Sequence, residues 1–226
     1  MRLPLALLLA ALPSLPSFAA RTAPPPRSGW LWHIVSRCVD AKAPDYCDRC
    51  LRPAPGLCGE VRCEDRTVVW RLSKSFVAIR DMKMCGCPKG FVHGLALPRT
   101  PVTGVEDPRR PVGIWAFAWK AARAEIADPG EILLAVNAPW RRSQSQLHVH
   151  LIRLAPGARA RLEALKPGRA ASLDGAWAAA ARDARREGLK GWYGVAVARA
   201  GDGKSFLVLA DGGGHPETRF GIARCR

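Results

Sequence analysis

The stretch Arg141-Arg142-Ser143-Gln144-Ser145-Gln146-Leu147-His148-Val149-His150-Leu151-Ile152 alternates polar and apolar residues from Gln146 onward. Successive side chains of a strand point to opposite faces. Gln146, His148 and His150 therefore share one face, while Leu147, Val149 and Leu151 enter a core on the other. The two arginines and two serines ahead of them form a natural phosphate-binding set.

Three chemistries fit two imidazoles on one face. They are a surface pair without a role, or a metal site in which His93 or His215 supplies a third ligand. The third is covalent catalysis, in which a neutral imidazole attacks phosphorus while neighbouring donors hold the phosphate oxygens. The alternation alone leaves the last two level.

Outward from this strand, the pattern is α+β around an antiparallel sheet. Trp30 to Val39 reads as a helix with Leu31, Ile34, Val35 and Cys38 on one face. Thr67–Leu72 and Phe76–Arg80 flank Ser73-Lys74-Ser75 as a hairpin, and 91–98 forms the next strand. Asp107-Pro108 reads as a helix start, with Val112, Trp115, Ala118, Trp119, Ala122 and Ile126 at helical spacing up to Asp128-Pro129-Gly130. Ile132 to Val136 is a strand ending at Asn137. Beyond the opening stretch, 158–165 and 173–187 read as helices, and 195–199 and 206–210 as a hairpin around Gly201-Asp202-Gly203. A last strand is expected over 219–224, with Cys225 tied back. Trp115 and Trp119 belong to the core, whereas Trp140 is placed to touch lipid or base.

The chain has 226 residues, nearly half of them apolar, which suits one domain and excludes global disorder. Its net charge of +16, from 35 Lys and Arg against 19 Asp and Glu, favours polyanionic partners without choosing among nucleic acid, phosphorylated substrates and an anionic membrane. Arg2, the apolar run from Leu3 and the small residues at Ser17 and Ala19 make residues 1–20 a secretory signal or an N-terminal membrane anchor. Residues 21–29 are a Pro-rich spacer, and 30–226 one catalytic domain with its core at about 66–154. All eight cysteines (38, 47, 50, 58, 63, 85, 87 and 225) follow the leader, so up to four disulfides are expected, with the N-terminal region stapled by them. A zinc cluster from Cys47, Cys50, Cys58 and Cys63 is the alternative.

Gln146-Leu147-His148-Val149-His150-Leu151 resembles the signature of the histidine-triad superfamily, with glutamine in place of its first histidine. Arg80-Asp81 and His93-Gly94-Leu95-Ala96-Leu97-Pro98 resemble that superfamily's nucleotide-binding strands, in the same order. More closely, Arg142-Ser143-Gln144-x-Gln146-Leu147-His148-x-His150 is similar to the bacterial CDP-diacylglycerol diphosphatase family. The resemblance spans residues 30–155 by motif; beyond it the chain is an α/β C-terminal extension. It implies a histidine-triad-like antiparallel sheet with flanking helices. It also implies hydrolysis of CDP-diacylglycerol to CMP and phosphatidate, with His148 as nucleophile forming a cytidylyl-histidine. By the same resemblance, His150 binds a phosphate oxygen and Ser143 lies near the leaving oxygen, while Gln146 can hydrogen-bond a phosphate oxygen or orient His150. His93 belongs to the nucleotide pocket, Asp81 meets the ribose hydroxyls, and Asn137 completes the site. Separately, the charge of a pyrophosphate diester favours a basic pocket from Arg141, Arg142 and Arg153, although alternation with His150 turns Arg153 toward the other face. No cofactor or metal is required on this reading, and the partner is CDP-diacylglycerol at an anionic membrane surface rather than nucleic acid. The location implied is the periplasm, at the inner membrane. The alternatives are a metal-dependent phosphoesterase using His148 and His150, and a basic exported lipid-binding module without catalysis. The extension could occupy the surface through which many superfamily members dimerise, so the oligomeric state stays open.

Overall fold

The computed structural model describes residues 29–37, 39, 68–84 and 86–225. The leader, most of the spacer, the cysteine-rich loop over 42–64, and Cys38 and Cys85 lie outside them, and with them the expected N-terminal staples and the zinc alternative.

Eight antiparallel strands form one sheet in the order β1-β2-β3-β5-β4-β7-β8-β6. They are β1 (Val69–Leu72), β2 (Phe76–Arg80), β3 (His93–Pro98), β4 (Ile132–Val136), β5 (Val149–Arg153), β6 (Gly168–Ala170), β7 (Gly194–Arg199) and β8 (Phe206–Asp211). Strands β3, β4 and β8 are buried along their whole length, because helices cover both faces of the sheet. The architecture is α+β with an antiparallel sheet, as the alternating segments predict. The C-terminal extension does not form a layer of its own. Its strand β7 pairs with β4, matching Ala196 to Ala135, and so continues the same sheet.

On one face lie α2 (Ile114–Glu125) and α4 (Ala176–Arg186), over a core that includes Ala96, Leu134, Leu147, Val149, Leu151, Val197 and Val208. Gly94 belongs to this face: a Cβ there would sit 1.9 Å from the indole of Trp70, so only glycine lets that ring lie on β3. The opposite face carries two separate apolar clusters. Helix α1 (Trp30–Arg37) buries Leu31, Ile34 and Val35 against Val77, Ile79, Leu95 and Leu97 of β2 and β3. Farther along, α3 (Ala158–Ala164) and the short α5 (Pro216–Phe220) contribute to a cluster with Leu133, Ile152, Ala196, Ala198, Leu207 and Leu209. Burial of this much apolar surface, at ~25 cal/mol per Å², is the main stabilising term.

Three expectations are corrected. Asp107 does not cap α2. Its carboxylate accepts from the backbone of Thr103 and Arg109 and closes a turn, and the helix begins only at Ile114. Pro111 explains the delay, since it bars helical geometry at Arg110 and offers no N–H. Val112, read as part of the buried stripe, is 54% exposed in consequence. The strand expected over 219–224 is instead the end of α5, followed by a single bridge between Gly221 and Leu154. Pro216 at the first helical position favours that outcome. Strand β6 was not foreseen; its three residues are held by pairing with β8. Cys225 is tied back as expected, through a disulfide to Cys87.

Candidate active site

The alternation at the opening stretch is realised. Leu147, Val149 and Leu151 enter the α2 core, and His148 and His150 point to the opposite face, where α1 and α5 leave room between their clusters. Asp81 at the end of β2, His93 at the start of β3 and Asn137 just past β4 reach the same face by the same two-residue period. His150 stands opposite Ala135 on one side and Leu95 on the other, and His93 opposite Ile152, which makes His93 and His150 diagonal neighbours.

Nδ1 of His148 lies 2.8 Å from the main-chain oxygen of Gln146. A carbonyl only accepts, so Nδ1 carries the proton and Nε2 keeps its lone pair. The ring borders a cleft of about 190 Å³, walled by Trp30, Leu31, Ile34, Ile79 and Leu95 and edged by Asp81, Lys83, Ser143, Gln144 and His150. Burial pushes His148 below the ordinary imidazole value, against the opposing pull of the Gln146 carbonyl. A neutral imidazole with its Nε2 unprotonated is the form a nucleophile needs.

The other two histidines are linked, His93 Nε2 to His150 Nδ1 at 3.0 Å. His93 Nδ1 faces the main-chain oxygen of Ala223 at 3.1 Å, and His150 Nε2 faces both the carboxylate of Glu217 at 3.2 Å and the amide nitrogen of Asn137 at 3.3 Å. Asp81 and Glu217 also approach His93 Nε2, at 3.4 and 3.5 Å. Glu217 further accepts from Asn137 Nδ2 at 2.8 Å and from Lys83 Nζ at 2.6 Å. Burial acts to raise the Glu217 carboxyl. The charges of His150 and Lys83 and the two donors outweigh it, and the group is held well below the usual carboxylate range. Burial pushes His93 down and His150 well down, so neither ring holds a charge on its own account.

Asp81, His93 and His150 form a cluster able to chelate a metal ion, their ligand atoms all within 4.8 Å of one another. The donor set fits. The edges of a tetrahedron with bonds of about 2.0–2.1 Å measure about 3.3 Å, close to the 3.0 and 3.4 Å separations around His93 Nε2. The outward nitrogens of both rings are held by a carbonyl and a carboxylate, as metal-binding imidazoles are. His215, the other candidate third ligand, stays outside the cluster, 39% exposed on its side chain. A bound divalent ion would supply Lewis-acid polarisation of a phosphoryl oxygen.

The remaining expected residues divide. Ser143 is exposed at the edge of the cleft, beside Gln144, whose side-chain oxygen accepts from Leu31 N and ties this loop to α1. Arg142 is buried, and its guanidinium is bound through two nitrogens to Glu106. Gln146 spends its amide on the main chain after β3, donating to Pro98 O at 3.0 Å and Thr100 O at 2.9 Å and accepting from Val102 N. Arg141 lies over the Trp140 ring, and Arg153 pairs with Glu131, outside the lining of the cleft. Lys83, Glu217, Glu106 and the Ala223 carbonyl were not singled out in the sequence. Only Glu217 had a local signal, an acidic residue in the first turn after His215-Pro216.

Over residues 26–187 the sequence matches the CDP-diacylglycerol pyrophosphatase family. The chain belongs to that family. It is an enzyme of the hydrolase class, and the matched segment contains Asp81, His93, Asn137, Ser143, Gln146, His148 and His150. No curated protein matches the chain. Glu217, Ala223 and Cys225 lie beyond the family match, yet they complete the surroundings of its histidines. Asp211 holds them in register. Its carboxylate accepts from the backbone of His215 and pairs with Arg219, which fixes α5. Gly194 allows Pro216 to pack in, since a Cβ there would lie 2.5 Å from the proline ring.

Proposed function

We propose that the protein hydrolyses CDP-diacylglycerol, releasing CMP and phosphatidate, with His148 as nucleophile. The observation that carries this reading is the bond from His148 Nδ1 to Gln146 O, which leaves Nε2 as the attacking atom beside the cleft. Nε2 bonds to the α-phosphorus and the bond to the bridging oxygen breaks, that oxygen keeping the electron pair as phosphatidate leaves. Water then attacks the same phosphorus and breaks the N–P bond, which returns His148 and yields CMP with release of a proton. Ser143 assists at the leaving oxygen, and Asp81 takes the ribose hydroxyls. His93, His150 and Asn137 shape the field around the nucleophile, and Gln146 and Arg142 hold the loops that frame the phosphates. The N-terminal apolar segment and the charge of +16 support an exported protein held at an anionic membrane. Among the described residues no helix is long and apolar enough to cross a membrane.

CDP-diacylglycerol labelled in the α-phosphate tests the mechanism. An acid-labile adduct on His148 is expected after rapid quenching, and a folded His148→Ala variant of full activity overturns it. A second reading is favoured by the Asp81, His93 and His150 cluster: hydrolysis assisted by a divalent cation bound there. Protein that loses activity in EDTA, regains it with zinc and gives no His148 adduct supports that reading over the covalent one.

A further inference from the structure

The cleft must admit a pyrophosphate diester, which is a dianion, next to two carboxylates. Asp81 borders it, and Glu217 lies behind it, 3% exposed. The arginines that the sequence offered for this purpose are engaged elsewhere. Arg142 is bound to Glu106, Arg153 is paired with Glu131, and Arg141 lies over Trp140 outside the lining. Arg80 borders the cleft, but alternation with Ile79 and Asp81 sends its side chain to the opposite face of the sheet.

Lys83 is different. It lies in the short 3-10 turn Met82–Met84, which is set by Asp81: the Asp81 carboxylate accepts from Lys83 N at 2.9 Å, and its main-chain oxygen accepts from Met84 N. Its ammonium lines the same cleft as His148 and His150, is 40% exposed, and is held by Glu217 at 2.6 Å with Asp81 at 4.0 Å. An ammonium has three donors, and Glu217 takes one of them. We propose that Lys83 is the substrate-binding cation of this cleft, placed by Glu217 to engage the pyrophosphate while screening it from the two carboxylates. The assignment rests on the cleft being the substrate site proposed above.

Variants Lys83→Met and Lys83→Arg of the full chain test it, with Lys120→Met on α2, across the sheet, as control. Hydrolysis of CDP-diacylglycerol is followed, with CMP and cytidine as competing ligands. Lys83→Met is expected to lower kcat/KM about 100-fold and to weaken CMP inhibition about 10-fold or more, the range for a lost charged hydrogen bond. Cytidine inhibition should change less than about twofold, since cytidine carries no phosphate, and Lys83→Arg should stay within about tenfold of the parent. Unchanged CMP inhibition in Lys83→Met overturns the proposal, as does equal loss of CMP and cytidine, which marks a collapsed site instead. If the parent protein itself neither cleaves CDP-diacylglycerol nor binds CMP, the reading of the cleft falls and the role of Lys83 falls with it. If the parent does both and Lys83→Met matches it, only the role of Lys83 is lost.

Discussion

His93 Nε2 faces His150 Nδ1 at 3.0 Å, with His93 Nδ1 on the Ala223 carbonyl and His150 Nε2 between the Glu217 carboxylate and the Asn137 amide nitrogen. The Ala223 carbonyl places the proton of His93 on Nδ1, so His93 Nε2 can accept from His150 Nδ1–H while His150 Nε2 accepts from Asn137 Nδ2, and two neutral rings satisfy the contact. The same two facing nitrogens, with Asp81, are those that would hold a metal ion. Burial outweighs the pull of the nearby carboxylates on both rings and holds them below the ordinary imidazole value.

Glu217→Gln tests that balance. Its amide can accept from one neighbour but carries no charge for the His93–His150 pair or for Lys83. We expect a stability loss of about 1–3 kcal/mol in chemical denaturation and a kcat reduced at least about tenfold. A variant with unaltered stability and kcat shows that the pair does not need the carboxylate.

The pH profile follows from His148. Burial holds it below about 6.5 in the folded protein, so the proposed nucleophile is unprotonated at neutral pH. Activity should be level from neutrality down to about 6.5 and fall on an acid limb with its midpoint below that value. Stability moves in the same sense. As pH drops through about 6.5 the unfolded imidazoles bind protons first, so stability is lost from there down to the folded value and is fully present above it. An acid limb centred above about 6.5 contradicts the assignment.

His148 and His150 were legible because a period of two sends both to one face; Asp81 and His93 came from the resemblance, and the pairing of β2, β3 and β5 brings them beside His150. Lys83 was not legible. It is one of 35 cations, and only the turn set by Asp81 and the approach of α5 distinguish it. Glu217 needed the whole C-terminal course of the chain to arrive beside His150, more than sixty positions away in sequence. The partner of Arg142 was hidden for a related reason: an arginine beside this strand looks available until Glu106, on another loop, takes its guanidinium. The failed cap at Asp107 shows a local rule overridden by a second one, since Pro111 follows within the turn that Asp107 would have begun.

Gln146 stands where the histidine-triad signature that this stretch resembles has histidine, and its three bonds explain why an amide suits this chain. Two N–H groups meet the carbonyls of Pro98 and Thr100, and one oxygen meets the N–H of Val102. A neutral imidazole has one donor and one acceptor and leaves a carbonyl without a partner. Gln146→His should therefore destabilise the protein by about 1–2 kcal/mol and Gln146→Leu by about 2–4 kcal/mol. Faster amide exchange at Val102 should accompany Gln146→Leu, which removes its acceptor. Equal stability of parent and Gln146→Leu removes the structural role.

The Cys87–Cys225 disulfide joins residues 138 positions apart and closes the C-terminal segment onto the loop between β2 and β3. Two residues before Cys225, the Ala223 carbonyl fixes the proton on His93 Nδ1. Loss of the cross-link should therefore act twice. Freed chain entropy in the unfolded state predicts a stability loss of about 2–5 kcal/mol for Cys225→Ser, measured by denaturant unfolding. Without Ala223 O in place, His93 can take its other tautomer, which turns an N–H toward His150 Nδ1 and disturbs the bond between the two rings. The folded fraction of Cys225→Ser should then show reduced kcat even at temperatures where it is fully folded. Removing both cysteines (Cys87→Ser with Cys225→Ser) should behave the same way, which excludes an effect of the liberated Cys87 thiol. A double variant of reduced stability but undiminished kcat would separate the two roles, leaving the disulfide as a cross-link and Ala223 held by the chain itself.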